Sequence, residues 1–448
     1  MKQTRLFARL LLAGFALLFV AACEPGAEEP AAPPSEPVKM EIRHEDGRYR
    51  LYRDGQPYYI HGAGLERQQP GAGSIAKLAA HGANALRTWR TDEAGRTGQE
   101  ILDEALAHGL TVTMGLEIAR ERHDFDYDDA AAVAAQFEAV KQEILKYKDH
   151  PALIIWAIGN ELNLRATNPK VWDAVNEISV WIHEVDPNHL TTTTLAGIGK
   201  DLVDNIKARA PDLDLLSIQM YGDLPNLPRY IDETGWDGPY MVTEWGATGH
   251  WEVATTPWNA PIENTSAVKA DSYLERYKAA IASDTTQCVG SYVFLWGQKQ
   301  ERTPTWYGIF IDGETETEAV DVMHYLWNDT WPDNRSPRLE AVTLDGKTAY
   351  EGVYLEAGAA YPAVAVVTDP EGDALTYVWD VKSESTDLGD GGDFETTPES
   401  IPGLNSPSGA ADVTLTAPEK PGAYRLFVYA YDGNAHAAHA NIPFFVNE

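Results

Sequence analysis

Cysteine is nearly absent from this sequence: there are two, Cys23 and Cys288. Two cysteines cannot build a disulfide framework, and no cysteine cluster exists that would hold a structural zinc ion. Basic residues are scarce as well. Against 68 Asp and Glu stand 35 Lys and Arg, giving a formal net charge of -33. Nucleic acid and anionic membrane surfaces both require basic patches, so this deficit argues against either as a partner. It reads instead as a well-solvated extracellular surface. What the sequence does have is length and apolar content. With 448 residues and 44% hydrophobic residues, it can bury a sizeable core and build two domains, one large and one small.

Residues 1–23 have the layout of a targeting leader. Lys2, Arg5 and Arg9 start it, Leu10 to Val20 form its apolar centre, and Ala21-Ala22-Cys23 closes it with small residues. The apolar part is short for a membrane-spanning helix. Val20-Ala21-Ala22-Cys23 resembles a bacterial lipoprotein signal. The resemblance implies lipidation at Cys23 and anchoring in the cell envelope, facing periplasm or exterior, with membrane contact only through that lipid. Cys288 then has no partner, and its place before an apolar strand predicts a buried thiol. Residues 24–40 are rich in Pro, Glu and Ala and predict an extended tether.

Residues 41–333 read as one α/β unit. A short β lead-in turns at Asp54-Gly55. From there apolar runs of strand length alternate with amphipathic stretches. The predicted strands are Tyr58–Gly62, Ala83–Thr88, Leu110–Gly115, Leu153–Gly159, Thr191–Leu195, Leu215–Tyr221, Tyr240–Thr243 and Ser291–Trp296. Predicted helices include Ser74–His81, Gln99–His108, Ala130–Lys148, Lys170–Glu184, Ser266–Ser283 and Glu316–Trp327, with one after the sixth strand broken by Pro225 and Pro228. Eight strand–helix pairs in roughly 270 residues predict a (β/α)8 TIM barrel. Asn334 to Pro337 reads as a linker. Residues 338–448 change to short alternating strands with Gly, Pro and Asp turns, predicting an immunoglobulin-like β-sandwich. The run from Asp369 to Trp379 and the run Tyr429-Ala430-Tyr431-Asp432-Gly433 resemble PKD-like or cadherin-like modules. Asp369, Glu371 and Asp373 have calcium-ligand chemistry, but the reading kept is a solvated acidic turn. No metal and no cofactor is expected, and a spacer role is expected for the sandwich.

Chemistry gathers at the C-terminal ends of the barrel strands, where such folds carry their sites. The fourth strand, entered through His150-Pro151, ends in Asn160-Glu161 and the seventh in Thr243-Glu244-Trp245-Gly246. Two carboxyls at one barrel mouth are what glycoside cleavage needs: one to protonate the leaving oxygen, the other to attack the anomeric carbon or activate water. The chain also holds 13 Trp and 21 Tyr. Aromatic rings stack on the flat C–H faces of sugars, and Trp89, Trp245, Trp251, Trp258, Trp296, Trp306 and Tyr307 fall after strand ends.

The segment from His150 to Glu161, with Arg87, Tyr221 and Thr243-Glu244-Trp245-Gly246, resembles the clan A glycoside hydrolases, most nearly the family 2 catalytic barrel. The resemblance covers roughly residues 50 to 330. It implies Glu161 as acid/base and Glu244 as nucleophile. It further implies that Arg87 orients the nucleophile, Tyr221 hydrogen-bonds to it, Asn160 holds the sugar 2-hydroxyl and Trp296 floors the subsite of the attacked sugar. Family 2 enzymes typically carry a sugar-binding jelly roll and an immunoglobulin-like domain before the barrel. A tether and a short lead-in stand there in this chain, which predicts an open barrel suited to a polysaccharide.

These readings predict a monomeric retaining glycosidase acting on a β-linked glycan, with a lean to β-glucan. Transglycosylation through the same residues, and a non-catalytic glycan-binding lipoprotein, are the alternatives. The loops 117–129, 245–266 and 297–308 are long enough to be subsite walls or plain surface cover.

Overall fold

The computed structural model describes residues 35–65, 74–93, 95–404 and 409–447. The leader, with Cys23 and most of the tether, lies outside the described residues. Three antiparallel strands open the described chain: β1 (Met40–Glu45), β2 (Arg48–Arg53) and β3 (Gln56–Tyr58). The β2–β3 turn is Asp54-Gly55, with φ of 47° and 76°, the left-handed region that an Asp-Gly pair tolerates best. Val38, Met40 and Leu51 pack against Ile60, Ile154, Leu215 and Met241. Those four residues open barrel strands, so the lead-in covers the N-terminal end of the barrel, away from the strand tips that carry the chemistry.

Among the described residues, eight parallel strands close into a barrel. They are β4 (Ile60–Leu65), β5 (Ala85–Arg87), β6 (Thr111–Leu116), β7 (Leu153–Asn160), β8 (Leu190–Ala196), β9 (Leu215–Gln219), β10 (Tyr240–Glu244) and β11 (Cys288–Trp296), with β11 pairing back to β4. A helix follows each strand in turn: α1 (Ile75–Ala80), α2 (Gly98–Ala107), α3 (Ala130–Tyr147), α4 (Lys170–Val185), α5 (Lys200–Arg209), α6 (Leu227–Thr234), α7 (Ser266–Arg276) and α8 (Glu318–Asn328). This is the TIM-barrel arrangement. All eight residues of β7 are buried, as expected of a parallel strand covered on both faces.

Local chemistry sets the helix starts. Ser74, Asp129 and Thr265 each accept backbone N–H groups of the first turn of α1, α3 and α7. Thr97 and Glu100 form a reciprocal capping box on α2. Pro228, expected to break a helix, lies in the first turn of α6, where its missing N–H costs nothing. Strand boundaries shift from expectation by up to three residues. Tyr58 belongs to the lead-in, so the first barrel strand begins at Ile60. The eighth begins at Cys288, which lies buried within it.

A short hairpin, β12 (Phe310–Ile311) and β13 (Thr315–Glu316), precedes α8. The C-terminal part folds as β14 (Arg338–Leu344), β15 (Val353–Glu356), β16 (Ala360–Thr368), β17 (Thr376–Ser383), β18 (Asp412–Thr416), β19 (Gly422–Tyr431) and β20 (Ala437–Asn447). These make two sheets, β14-β16-β18 and β15-β20-β19-β17. Residues at every second position, among them Leu339, Ala363, Val381, Leu426 and Ile442, share one core. Asp369 caps its own turn by accepting the N–H groups of Glu371 and Asp373 at 3.1 and 2.8 Å, so the acidic turn is held by its backbone.

The two parts are bound tightly. Residues 334–337, expected as a linker, are docked: Asn334 donates to Asp432 at 2.8 Å and Ser336 N–H to Asp321 at 2.7 Å. Glu263, fully buried after β10, pairs with Lys269 at 2.5 Å and accepts from Thr303, Thr305 and Asn441, the last from β20. Glu263→Ala would strand the Lys269 charge in the interior. It is expected to cost about 3–5 kcal/mol, read as a lower urea midpoint; a loss under about 1 kcal/mol would contradict this account.

Candidate active site

The strand tips converge on a pocket of about 240 Å³. Its organising charge is Arg87, the last residue of β5 and only 1% exposed. A guanidinium taken out of water needs every available partner. Its Nη1 donates to Thr243 O at 2.8 Å and Glu244 Oε1 at 3.2 Å, and its Nη2 to Asn160 Oδ1 at 2.9 Å. One buried cation thereby ties together the tips of β5, β7 and β10.

Glu244 ends β10 and receives four donors. Besides Arg87, the Trp89 indole N–H reaches Oε1 at 2.7 Å and the Gln219 amide reaches Oε1 at 2.9 Å. The Tyr221 hydroxyl donates to Oε2 at 2.8 Å. Burial and the Glu244 charge hold the Tyr221 phenol well above its ordinary range, so it stays a donor. Asn160 Oδ1 is committed to Arg87, to Thr194 at 3.0 Å and to Gln219 at 2.9 Å. Its amide nitrogen is the end left to serve the pocket.

Glu161 is held in another way. Its backbone is left-handed, with φ of 51°, a conformation that costs a non-glycine residue about 1–3 kcal/mol and clusters at functional sites. It is fixed by its N–H donating to Thr194 O at 2.9 Å and by Arg122 donating to its carbonyl at 3.2 Å. Arg120 grips the preceding carbonyl, of Asn160, at 3.0 Å. No hydrogen bond reaches the Glu161 carboxyl among the described residues. Burial, then the nearby Glu244 charge, push its pKa up to about 7 against the pull of Arg122 and Arg120. The arrangement therefore offers one carboxyl ringed by four donors and one carboxyl poised to hold a proton.

Aromatic rings complete the wall. Tyr221 lies edge-on to Trp251, Phe294 and Tyr307, at 5.5–5.8 Å between centroids. Trp251 is 60% exposed and lines the pocket, as do Trp89, Phe294 and Tyr307.

The profile of glycosyl hydrolases family 2, TIM barrel domain, matches residues 74–318. The chain belongs to this family. A curated relative, mannan endo-1,4-beta-mannosidase F of Aspergillus clavatus, is 34% identical over 61 residues, 13% of this chain and 14% of that protein. Among solved structures, an FMN-binding beta-glucuronidase from Facaelibacterium prausnitzii L2-6 is similar with a TM-score of 0.50 and 15% identity, covering 92% of this chain and 59% of that one. Bifidobacterium dentium beta-glucuronidase has a TM-score of 0.50 and 18% identity, over 66% of this chain and 50% of that one. The chain thus spans well under two thirds of these proteins, and at such identities the structural likeness is one of fold.

Within this family 2 barrel the structure brings Arg87, Trp89, Asn160, Glu161, Tyr221, Glu244 and Trp251 together and sends three expected tryptophans elsewhere. Trp245 is wholly buried against Tyr273 and Tyr277, on the helix side of β10. Trp296 is wholly buried among His81, Phe310 and Trp327; Phe294 lines the pocket from that strand instead. Trp258 packs on Tyr354 and Phe445 of the C-terminal sheets. Residues not foreseen from sequence are Gln219, Phe294, Arg120, and Glu93, whose carboxylate shapes the turn by accepting the N–H groups of Trp89 and Arg90 at 2.9 and 3.2 Å. Of these, Gln219 had a readable signal: a polar residue at the tip of an apolar strand, two positions after Ser217. The loop placement is testable. Trp296→Ala is expected to cost about 3–5 kcal/mol of stability and Trp251→Ala less than about 1 kcal/mol, measured by urea denaturation; equal losses would contradict the placement.

Proposed function

We propose that the protein is a retaining glycoside hydrolase that cleaves β-glycosidic bonds in an oligo- or polysaccharide, with Glu244 as nucleophile and Glu161 as acid/base. The observation that carries this reading is the unequal treatment of two carboxyls in one pocket. Four donors, one of them a buried guanidinium, converge on the Glu244 carboxyl. Among the described residues no donor reaches the Glu161 carboxyl, and its pKa is raised to about 7. Two carboxyls in such unequal surroundings suit an acid/base division of labour.

The chemistry follows from that division. A Glu244 oxygen attacks the anomeric carbon as the glycosidic C–O bond breaks, and Glu161 gives its proton to the departing oxygen. The ester neutralises Glu244, so the field that raised the Glu161 pKa weakens and Glu161 becomes a base. It then takes a proton from water, which attacks the same carbon and frees Glu244. Tyr221, Trp89, Gln219 and Arg87 keep the Glu244 carboxylate in one orientation throughout, and the Asn160 amide is placed to hold the 2-hydroxyl.

The lean to β-glucan loses its basis. It drew on an aromatic cleft and an open barrel, but Trp245, Trp258 and Trp296 are core or interface residues, and residues 391–394 of the C-terminal part stand in the pocket wall. The reading is therefore a β-linked glycan without a stated sugar. A panel of 4-nitrophenyl β-glycosides and β-linked oligosaccharides identifies the sugar.

On a substrate so found, Glu161→Gln is expected to lower kcat about 10²–10⁴-fold and Glu244→Gln to abolish turnover. The first product should be the β-anomer by proton NMR; an α-anomer appearing first would refute retention. The pH profile follows from Glu161. It must carry its proton to act, so kcat/KM is full below its pKa and falls as pH rises through about 7. An alkaline limb that persists unchanged in Glu161→Gln would show that another group sets it.

A further inference from the structure

The connection between β17 and β18 reaches back over the barrel mouth, and Gly391, Gly392, Asp393 and Phe394 line the same pocket as Glu161 and Glu244. It is tied down from three barrel loops. Arg302, after β11, pairs with the buried Glu395 and donates to Gly389 O at 3.1 Å. Arg165, after β7, pairs with Asp390 at 2.8 Å, and His123, after β6, contacts Asp393 at 3.2 Å. The approach is close, at a backbone conformation that favours glycine. Gly391 is left-handed at φ 56°, and a Cβ there would lie 2.8 Å from Leu164 and 2.9 Å from Arg122. Between these anchors the Phe394 ring is 69% exposed, a large apolar face left in water at the edge of a catalytic pocket.

We propose that Phe394 is a specificity-determining residue: its ring is the stacking platform of a subsite for a sugar next to the one attacked, so the C-terminal sheets build part of the active site. The inference rests on the glycosidase reading and deepens it. An apolar ring held in place by ion pairs on either side, rather than folded into its own core, suits a ligand with flat C–H faces. A pyranose ring has such faces. Trp251, the other exposed aromatic of the pocket, comes from the barrel itself. A substrate of two or more sugars would then be gripped by one ring from each part of the chain, whereas a single sugar with a small leaving group would gain little from Phe394.

The test compares substrate lengths in the full chain. For wild type, Phe394→Ala and Phe394→Trp, kcat/KM is measured on the β-glycosyl fluoride of the sugar that the panel selects, whose leaving group leaves the neighbouring subsite empty, and on the β-1,4-linked tetrasaccharide of the same sugar. In Phe394→Ala the ratio of tetrasaccharide to glycosyl-fluoride kcat/KM is expected to fall about tenfold, chiefly through KM. Phe394→Trp should restore it. An unchanged ratio, or an equal loss on both substrates, overturns the subsite. Should wild type turn over neither substrate, the glycosidase reading fails on its own. Calorimetric titration of gluco-, manno- and galacto-tetraoses into Glu161→Gln, with and without Phe394→Ala, still decides the platform: binding unaffected by Phe394→Ala, or no binding at all, overturns it.

Discussion

The site depends on one buried positive charge. Arg87 is surrounded by protein and cannot be neutralised by water or by losing its proton. Among the described residues its hydrogen bonds go to one carbonyl, one amide oxygen and one carboxylate, and the Trp89 ring lies 4.8 Å from the guanidinium carbon. That requirement binds Glu244 to Arg87 and draws the ends of three strands to one point. With Arg87 committed to Glu244, no ion pair to the Glu161 carboxyl forms among the described residues. The two nearest, Arg120 and Arg122, spend hydrogen bonds on the backbone carbonyls of Asn160 and Glu161. A second anion beside the first would face both desolvation and like-charge repulsion. The unequal surroundings of the two carboxyls therefore follow, among the described residues, from a buried guanidinium that bonds one of them and not the other.

Much of this was legible in the sequence because barrels make a strong pattern. Apolar runs of strand length separated by capped amphipathic stretches give the eight units directly, and the residues where runs stop abruptly, Asn160-Glu161 and Thr243-Glu244, are the tips. Three of the five tryptophans, Trp245, Trp258 and Trp296, were misread because composition does not say which way a side chain points. Neighbours on a strand face opposite sides. With Glu244 turned into the mouth, Trp245 must turn out beneath α7. Parity would have placed Trp296 on the same side as Phe294. The pairing of β11 with β4 shifts register between Val293 and Trp296, which breaks the alternation and sends Trp296 to the helix layer. No property of a single residue announces such an irregularity.

The role of the C-terminal part was invisible for a different reason. Its partners are remote in sequence: Arg302 with Glu395, Arg165 with Asp390, Glu263 with Asn441. Read alone, residues 389–395 are a polar loop between two strands, and a spacer is a fair expectation. Only the fold reveals that barrel cations are waiting opposite its carboxylates.

The nature of that junction explains how a separate set of sheets can supply a pocket wall. Glu263, Lys269 and Arg425 are buried where the sheets meet the barrel, and Arg425 binds Glu384, Asn441 and the carbonyl of Pro261 at 2.7–3.1 Å. An apolar contact tolerates sliding because dispersion has little direction. A buried charge does not, since any rotation that breaks its hydrogen bonds leaves it desolvated and unpaired. Burying ions in this way adds little net stability, but it selects one orientation of the sheets on the barrel. That orientation holds the 389–395 segment against the loops after β6, β7 and β11, and a wall set to within a hydrogen bond's tolerance is what a sugar subsite next to the reacting carbon requires.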